Sequence, residues 1–209
     1  MGGVALIARG IYDGVEVARL IRRDPSAVAG WTTSRRNSPA IVEPDLADLF
    51  SFVSLVSLHV VSELRRRGVK RKDIYQGGRY LAQRLGTSHP FAHEGLATVG
   101  HGFFAEVGPW LDVGSGGQQA FQGVIEPLLR PIRFERGLAS SWRPADGVLL
   151  DPRVQAGSPC IEGTRVPTAV VRALVERQGL ERVLDDLRLT REEAGAAVAY
   201  ETYLDQRAA

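Results

Sequence analysis

The apolar positions of this chain recur mainly at helical spacing, so the pattern predicts a mostly α-helical protein. At Asp13 a capping box with Glu16 opens a helix that buries Val17, Ala18, Leu20 and Ile21 and closes on Arg22 and Arg23. Asp24 and Pro25 then supply an N-cap and a first-turn residue for a short second helix carrying Ala27, Val28 and Trp31. The pair reads as a helix-turn-helix. A long helix is predicted from Pro44 to Arg67, with one apolar stripe through Leu46, Leu49, Phe50, Val53, Val56, Val60 and Leu64 and another through Phe52, Leu55 and Val61. One stripe packs the core, and the other needs a cover, either the C-terminal half or a second copy of the chain; a homodimer is the expected one. Ile74, Gly78, Leu81 and Leu85 mark a further helix closed by Gly86.

The middle of the chain is less regular. Phe103 to Val107 and Trp110 to Val113 flank Gly108 and Pro109 and read as a small hairpin, ended by a glycine run that lacks the Lys and Ser/Thr of a phosphate loop. A helix from Gln118 to Arg130, interrupted near Pro127, leads to a strand at Ile132 to Glu135, and Gly137 to Gly147 reads as a linker. Val4 to Ile7 is undecided between a short strand and a lead segment.

Val148 to Pro167 is the most distinctive stretch: Gly157 and Gly163 punctuate two short apolar pieces, Val148 to Leu150 and Cys160 to Ile161, while Pro152, Pro159 and Pro167 forbid helix. A rigid extended loop is expected. Pro167 then suits the first turn of a helix running to about Arg177; Gly179 stops it. Leu180, Val183, Leu184 and Leu187 give a second helix, and the Thr190/Glu193 capping box opens a third that buries Ala194, Ala197, Val198 and Leu204. The chain therefore divides as 1–90, a helix-turn-helix region with its long helix; 91–147, a connecting segment; and 148–209, a three-helix domain.

With 209 residues, 44% of them hydrophobic, the chain can bury a substantial core. The net charge of +2 hides an uneven distribution: residues 1–90 carry 14 Lys and Arg against 8 Asp and Glu, residues 91–144 carry 4 against 5, and residues 145–209 carry 8 against 11. A basic N-terminal part suits a polyanion, and an acidic C-terminal part suits a protein partner. The lone Cys160 excludes an internal disulfide and fits a reducing cytoplasm. The first ten residues lack the basic n-region of a signal peptide, and Leu46 to Val61 is too short and too polar for a membrane span.

In a helix-turn-helix the N-terminal residues of the second helix meet base edges while the flanking cations meet phosphates. Ser26 and Ala29 are the candidate base-edge positions; Arg22, Arg23, Arg35 and Arg36 are the candidate phosphate contacts. Arg65, Arg66 and Arg67 with Lys70, Arg71 and Lys72 make a second positive corner, read as a polyanion site in which Lys70 and Arg71 are nominated as further DNA contacts, against the alternative of a merely solvated helix end. His89, His93 and His101 are close in sequence, but Pro90 breaks the helical spacing a shared metal would need. No nucleophile elbow or acid–base pair appears, so the chain is not read as an enzyme and no metal or cofactor is nominated. In the loop, Glu162 and Arg165 are the polar residues nominated for partner binding; Arg165 has two readings, anchoring the loop through backbone carbonyls or Asp151 and pairing with a partner's carboxylates.

Two resemblances add to this. The Gly-Ser-Pro-Cys-Ile-Glu-Gly-Thr-Arg-Val-Pro-Thr run at 157–168, with the Leu-Thr-x-Glu-Glu and Ala-Tyr-Glu segments of the last helix, resembles a bacterial domain family of unknown function, members of which occur as VapB-type antitoxins beside PIN-domain ribonuclease toxins. Tyr12, Glu16, Val17, Ala18 and Trp31 resemble the N-terminal module of MerR-like regulators over about residues 10–85, where residues 32–44 leave room only for a reduced wing. The fold class expected is mainly α with a small antiparallel β element: a MerR-like helix-turn-helix followed by a three-helix, homeodomain-like domain. The resemblance implies a cytoplasmic antitoxin that binds a PIN-domain ribonuclease toxin and represses its own operon by binding operator DNA, with Arg207 and the last helix as further partner-facing candidates. The alternative is a MerR-like regulator that senses a small molecule in residues 91–147, between Phe103, Phe104, Trp110 and Trp142.

Overall fold

The structure is a computed structural model that describes residues 11–36, 38–100, 103–104 and 117–206, without the side chains of 117–120. Val4 to Ile7, positions 105–113 of the expected hairpin, the start of the glycine run and Arg207 lie outside the described residues. The described chain is mainly helical with one small antiparallel sheet. It divides into two compact units, Tyr12–Ser140 and one that contains Ser141–Ala209. The segment 91–140 therefore belongs with the N-terminal helices rather than standing alone. Among the described residues no helix is long and apolar enough to cross a membrane.

In the first unit, helix α1 (Gly14–Leu20) starts at Asp13, whose carboxylate accepts from the N–H groups of Val15 and Glu16, both at 2.8 Å. Helix α2 (Pro25–Thr32) starts at Asp24, which accepts from Ser26 N at 2.8 Å. These caps satisfy N–H groups that a helix end leaves without partners. Arg22, with φ of +53°, reverses the chain between the two helices. After α2, Arg35 and Ser38 exchange both backbone hydrogen bonds at 3.0 Å. Among the described residues of 32–44 no longer strand pairing is formed.

The long helix is shorter than its apolar pattern predicts. Helix α3 spans Phe52–Arg66, and residues 44–50 are an irregular loop in which Ala47 takes φ of +49°. Ser51 caps α3, and Asp45 accepts from Ser51 N at 2.8 Å, so backbone groups that would have continued the helix are satisfied by side chains instead. Leu46, assigned to the core stripe, is 49% exposed. Both remaining stripes are buried: Phe52, Leu55 and Val61 as well as Val56, Val60 and Leu64. Helix α4 (Arg71–Leu85) and a 3₁₀ turn at Pro90–Ala92 pack against α3. The stripe expected to meet a second copy of the chain is thus covered by the chain's own unit, which removes the reason for inferring a homodimer.

Two adjacent glycines in α4 record how closely it is packed. A Cβ at Gly77 would sit 2.3 Å from Cζ of Phe104, and one at Gly78 would sit 2.9 Å from Cε2 of Phe91. Phe104 is fully buried, stacks on Phe121 at 5.4 Å and meets Phe103 edge-on at 5.4 Å. Phe103 and Phe104, the first two positions of the expected hairpin, are helical rather than extended, because a short apolar run does not by itself distinguish helix from strand. Helix α5 (Leu96–Val99) precedes them, and helix α6 (Gly117–Leu129) follows and continues through Pro127.

The expected linker is the longest strand. Strands β1 (Ile132–Glu135), β2 (Leu138–Ala145), β3 (Val148–Leu150) and β4 (Cys160–Ile161) are hydrogen-bonded in that order, and the division between the units falls inside β2. Trp142 pairs with Leu150 and Ala145 with Val148, so the register slips between them. Pro144 sits in that slip, where a residue without an N–H breaks no ladder bond. The two short apolar pieces of the expected loop pair with each other, Val148 with Ile161 and Leu149 with Cys160.

In the second unit, helices α7 (Thr168–Gln178), α8 (Leu180–Leu187) and α9 (Arg191–Asp205) follow the predicted boundaries closely. Their core joins Val171, Val183, Leu189, Ala194 and Ala197 to Ile161 of the sheet. Thr190 and Glu193 form the reciprocal capping box.

Replacing Gly77 with Ala adds a methyl where the Phe104 ring already lies, so the variant should be less stable by about 1–3 kcal/mol in denaturant unfolding despite the better helix propensity of Ala. A neutral or stabilising result would show that the ring moves aside freely.

Candidate functional site

The end of the first unit that carries α2 presents an uncharged outer stripe beside a cluster of cations. Ser26 and Ala29 are exposed, as are Arg35 and Arg36 in the segment after α2. Val28 and Trp31, on the opposite side of α2, are buried. Side chains one helical turn apart share a face, so burial of Val28 and Trp31 sets which face remains open. The candidate base-edge positions therefore lie on the surface, as a groove-facing helix requires.

Beside that stripe lies a hollow of about 540 Å³ lined by Arg23, Arg35, Arg65, Arg66 and Arg71, with Ala27, Gly30, Trp31 and Ser38 completing its wall. Three chain segments deliver these arginines: the turn before α2, the reduced wing, and the junction of α3 with α4. Arg23 donates from Nε to Ser62 Oγ at 2.6 Å and from Nη2 to the Ser62 carbonyl at 3.3 Å. Arg65 donates to the Val69 carbonyl at 2.7 Å. Arg71 is the most committed: it donates to the Gly30 carbonyl at 3.2 Å, to the Pro39 carbonyl at 2.6 Å and to both oxygens of Ser38. It thereby fixes the wing against α2. Arg66 pairs with Glu63 at 2.8 Å.

The nominated phosphate contacts thus divide. Arg35, Arg36 and Lys70 are exposed; Arg22, Arg23 and Arg71 are half-buried, the last two holding the fold as described. Arg65 and Arg66, read from the sequence as a separate positive corner, share one hollow with Arg23, Arg35 and Arg71. No sequence signal places Gly30 and Ser38 there; their part comes from the carbonyl and hydroxyl that Arg71 seeks.

In the second unit the Gly-Thr-Arg-Val-Pro turn is closed by its own backbone. Ile161 N donates to the Val166 carbonyl at 3.0 Å, Thr164 Oγ1 donates to the Ile161 carbonyl at 2.9 Å and accepts from Val166 N at 3.1 Å, and Gly163 supplies a φ of +78°. Thr168 donates through its hydroxyl to the buried carboxylate of Glu201, tying the start of α7 to α9. A carboxylate at a helix N-terminus is favoured by the local dipole. Glu162 pairs with Arg143 at the surface. Asp151 is held by Arg153 at 2.9 Å, not by Arg165. Arg165 is exposed, and among the described residues only its carbonyl has a hydrogen-bond partner, accepting from Gln155 Nε2 at 3.1 Å. Cys160 is buried, and burial pushes its thiol up against the opposing pull of Arg165, so the thiolate is disfavoured.

The rings on which a small-molecule site would depend pack on one another. Phe104 fills the space over Gly77 and stacks on Phe121, while Phe103 stacks on Tyr80 at 5.7 Å. Trp110 lies outside the described residues. His93 Nδ1 accepts from Gly95 N at 2.9 Å, a local turn bond, and His89 stands 3.9 Å from Asp45. Among the described residues no three of His, Cys, Asp and Glu come together in a way that could hold a metal ion.

Residues 148–200 match the family described as "Protein of unknown function (DUF433)". The match covers the Gly-Thr-Arg-Val-Pro loop, α7, α8 and most of α9. The chain is also similar to Rv2018 of Mycobacterium tuberculosis, known from an X-ray crystal structure: 25% of residues are identical, 90% of this chain and 96% of that chain are covered, and the TM-score is 0.70. No curated protein matches the chain.

His59, on α3 near the hollow, is held neutral. Burial pushes its pKa down to about 4 from 6.5, with Glu63 opposing the shift and Arg66 and Arg23 adding to it. Between these values the unfolded chain takes up a proton that the folded chain refuses, so stability contributed by the neutral ring is intact above 6.5 and falls as the pH drops toward 4. His59→Leu should therefore flatten the acid side of the stability profile by about 1–2 kcal/mol relative to wild type, the ring being half-buried rather than sealed. Parallel profiles from pH-dependent thermal melts would show that His59 does not set this sensitivity.

Proposed function

We propose that the protein is a DNA-binding antitoxin: its first unit binds operator DNA through α2 and the surrounding cations, and its second unit binds a PIN-domain ribonuclease. The observation that carries the DNA half is the juxtaposition of an exposed, uncharged Ser26–Ala29 stripe with cations from three chain segments on the same end of one unit. Such a surface positions by phosphates and offers few long donors to bases, so sequence preference would come largely from duplex shape. Repression of its own operon would follow from occupancy of the operator.

The toxin half rests on the resemblance of residues 148–200 and on Arg165. A rigid, backbone-closed turn holds that residue at the surface, its guanidinium without a hydrogen bond or ion pair to any of the described residues, and a PIN-domain ribonuclease offers a cluster of metal-binding carboxylates for such a group to meet. Glu162, by contrast, is engaged with Arg143. The sensor reading, which needs a space between Phe103, Phe104 and their neighbours, has less support because those rings pack on one another.

Replacing Arg35 and Arg36 by Ala should weaken binding to duplex DNA and reduce the slope of log affinity against log salt by about one unit for each phosphate no longer neutralised. Unchanged affinity and slope in a salt titration would rule out this end of the molecule as the groove-facing one. If the product of the adjacent gene is captured by the wild-type chain in a co-expression pull-down, Arg165→Glu should reduce that capture by about tenfold or more while leaving thermal stability unchanged. Full capture by that variant would remove the turn from the interface.

A further inference from the structure

Where an arginine side chain is held by another group, the kind of group differs between the two units. In the second unit Arg143 pairs with Glu162, Arg153 with Asp151, Arg172 with Glu176 and Asp205, and Arg191 with Glu181. Around the hollow the partners are neutral: Ser62 for Arg23, the Val69 carbonyl for Arg65, and Gly30, Ser38 and Pro39 for Arg71. Among the described residues there, only Arg66 has a carboxylate, Glu63, and none of the residues lining the hollow is acidic. A hydrogen bond to a carbonyl orients a guanidinium without cancelling its charge, so the hollow keeps a concentrated positive potential.

Burial holds the Arg23 guanidinium below its ordinary value, Glu63 opposes that shift, and Arg66 adds to it. An anion in the hollow would supplement the pull of Glu63. Arg71 and Arg23 are immobilised by their bonds to the chain, so little side-chain freedom is lost when a ligand arrives. Arg35 and Arg66 line the outer side with N–H groups to spare. At about 540 Å³ the space exceeds what a single phosphate needs, and the small Ala27 and Gly30 leave the wall beside α2 unobstructed.

We propose that this hollow is a binding site for a ligand carrying two adjacent phosphate groups. Guanidinium groups converging from three segments match the planar oxygen pairs of phosphates better than an isolated carboxylate. The same chemistry is supplied by successive phosphates of a duplex backbone or by a free diphosphate compound. The inference does not need the operator reading: a free diphosphate could occupy the hollow in a protein that binds no DNA.

Inorganic pyrophosphate titrated calorimetrically into the full chain should bind with one-to-one stoichiometry, and Ala27→Glu, which places a carboxylate among the arginines, should weaken it about tenfold or more. Arg35→Ala, at an exposed position, serves as the second variant should Ala27→Glu fail to fold. Displacement of pyrophosphate by a short duplex would identify backbone phosphates as the source, and binding without displacement would identify a free phosphate compound; both uphold the site. Pyrophosphate binding with no duplex binding at all would refute the operator reading while leaving the site standing. Failure of pyrophosphate to bind the wild-type chain, or equal binding by wild type and the variants, would overturn the proposal.

Discussion

A helix with apolar residues on nearly every side cannot rest on the surface, and α3 imposes that condition on the whole first unit. From Phe52 to Leu64 its side chains are buried around the circumference, including Ser54, Ser57 and Ser62. Enclosing it requires neighbours at close range. The 3₁₀ turn at Pro90–Ala92 and helix α4 supply them, and α4 can approach the aromatic residues only because Gly77 and Gly78 carry no side chain where Phe104 and Phe91 lie. Interiors packed this closely tolerate little added volume, so two residues that look like helix weaknesses are conditions for closure.

The same enclosure determines where charge can go. Once α3 is buried to Leu64, the residues that follow are its first exposed ones, and they are Arg65, Arg66 and Arg67. Arg23 reaches the buried length of α3 through Ser62, and Arg71 bridges the start of α4 to Gly30 and Ser38. The positive hollow is therefore a consequence of how the hydrophobic helix ends. The segment after α2 contributes Arg35 to it, and Arg36 next to it is exposed.

Much of this was legible in the sequence where caps and periodicity agree. Asp13, Asp24 and the Thr190/Glu193 box mark helix starts that the structure keeps, and Gly86 and Gly179 mark stops. The start of α3 was not legible, because Leu46 and Leu49 continue the apolar spacing and nothing local reveals that Asp45 will spend its carboxylate on Ser51 N. Strand β2 was hidden for a similar reason: Ser140, Ser141 and Pro144 have loop composition, and only pairing with the neighbouring strands β1 and β3 makes the segment a strand. The candidate arginines were legible one by one as charges. Their convergence was not, since it depends on bonds between residues some forty positions apart, such as Arg71 with Gly30.

That last difference bears on how the basic end should be understood. An arginine that donates to carbonyls looks structural, and deleting it would disturb the wing or the helix junction whatever its charge does. Yet the alternative way of fixing such a side chain, a carboxylate partner, is used repeatedly in the second unit and, among the described residues, only at Glu63 around the hollow. Charge that is half-buried without a countercharge is destabilising in isolation. Its retention at one end of the unit, beside an open face of α2, makes sense when the compensating anion comes from another molecule. Structural and binding roles then fall on the same guanidinium, the neutral acceptors setting its position and the ligand completing its electrostatics.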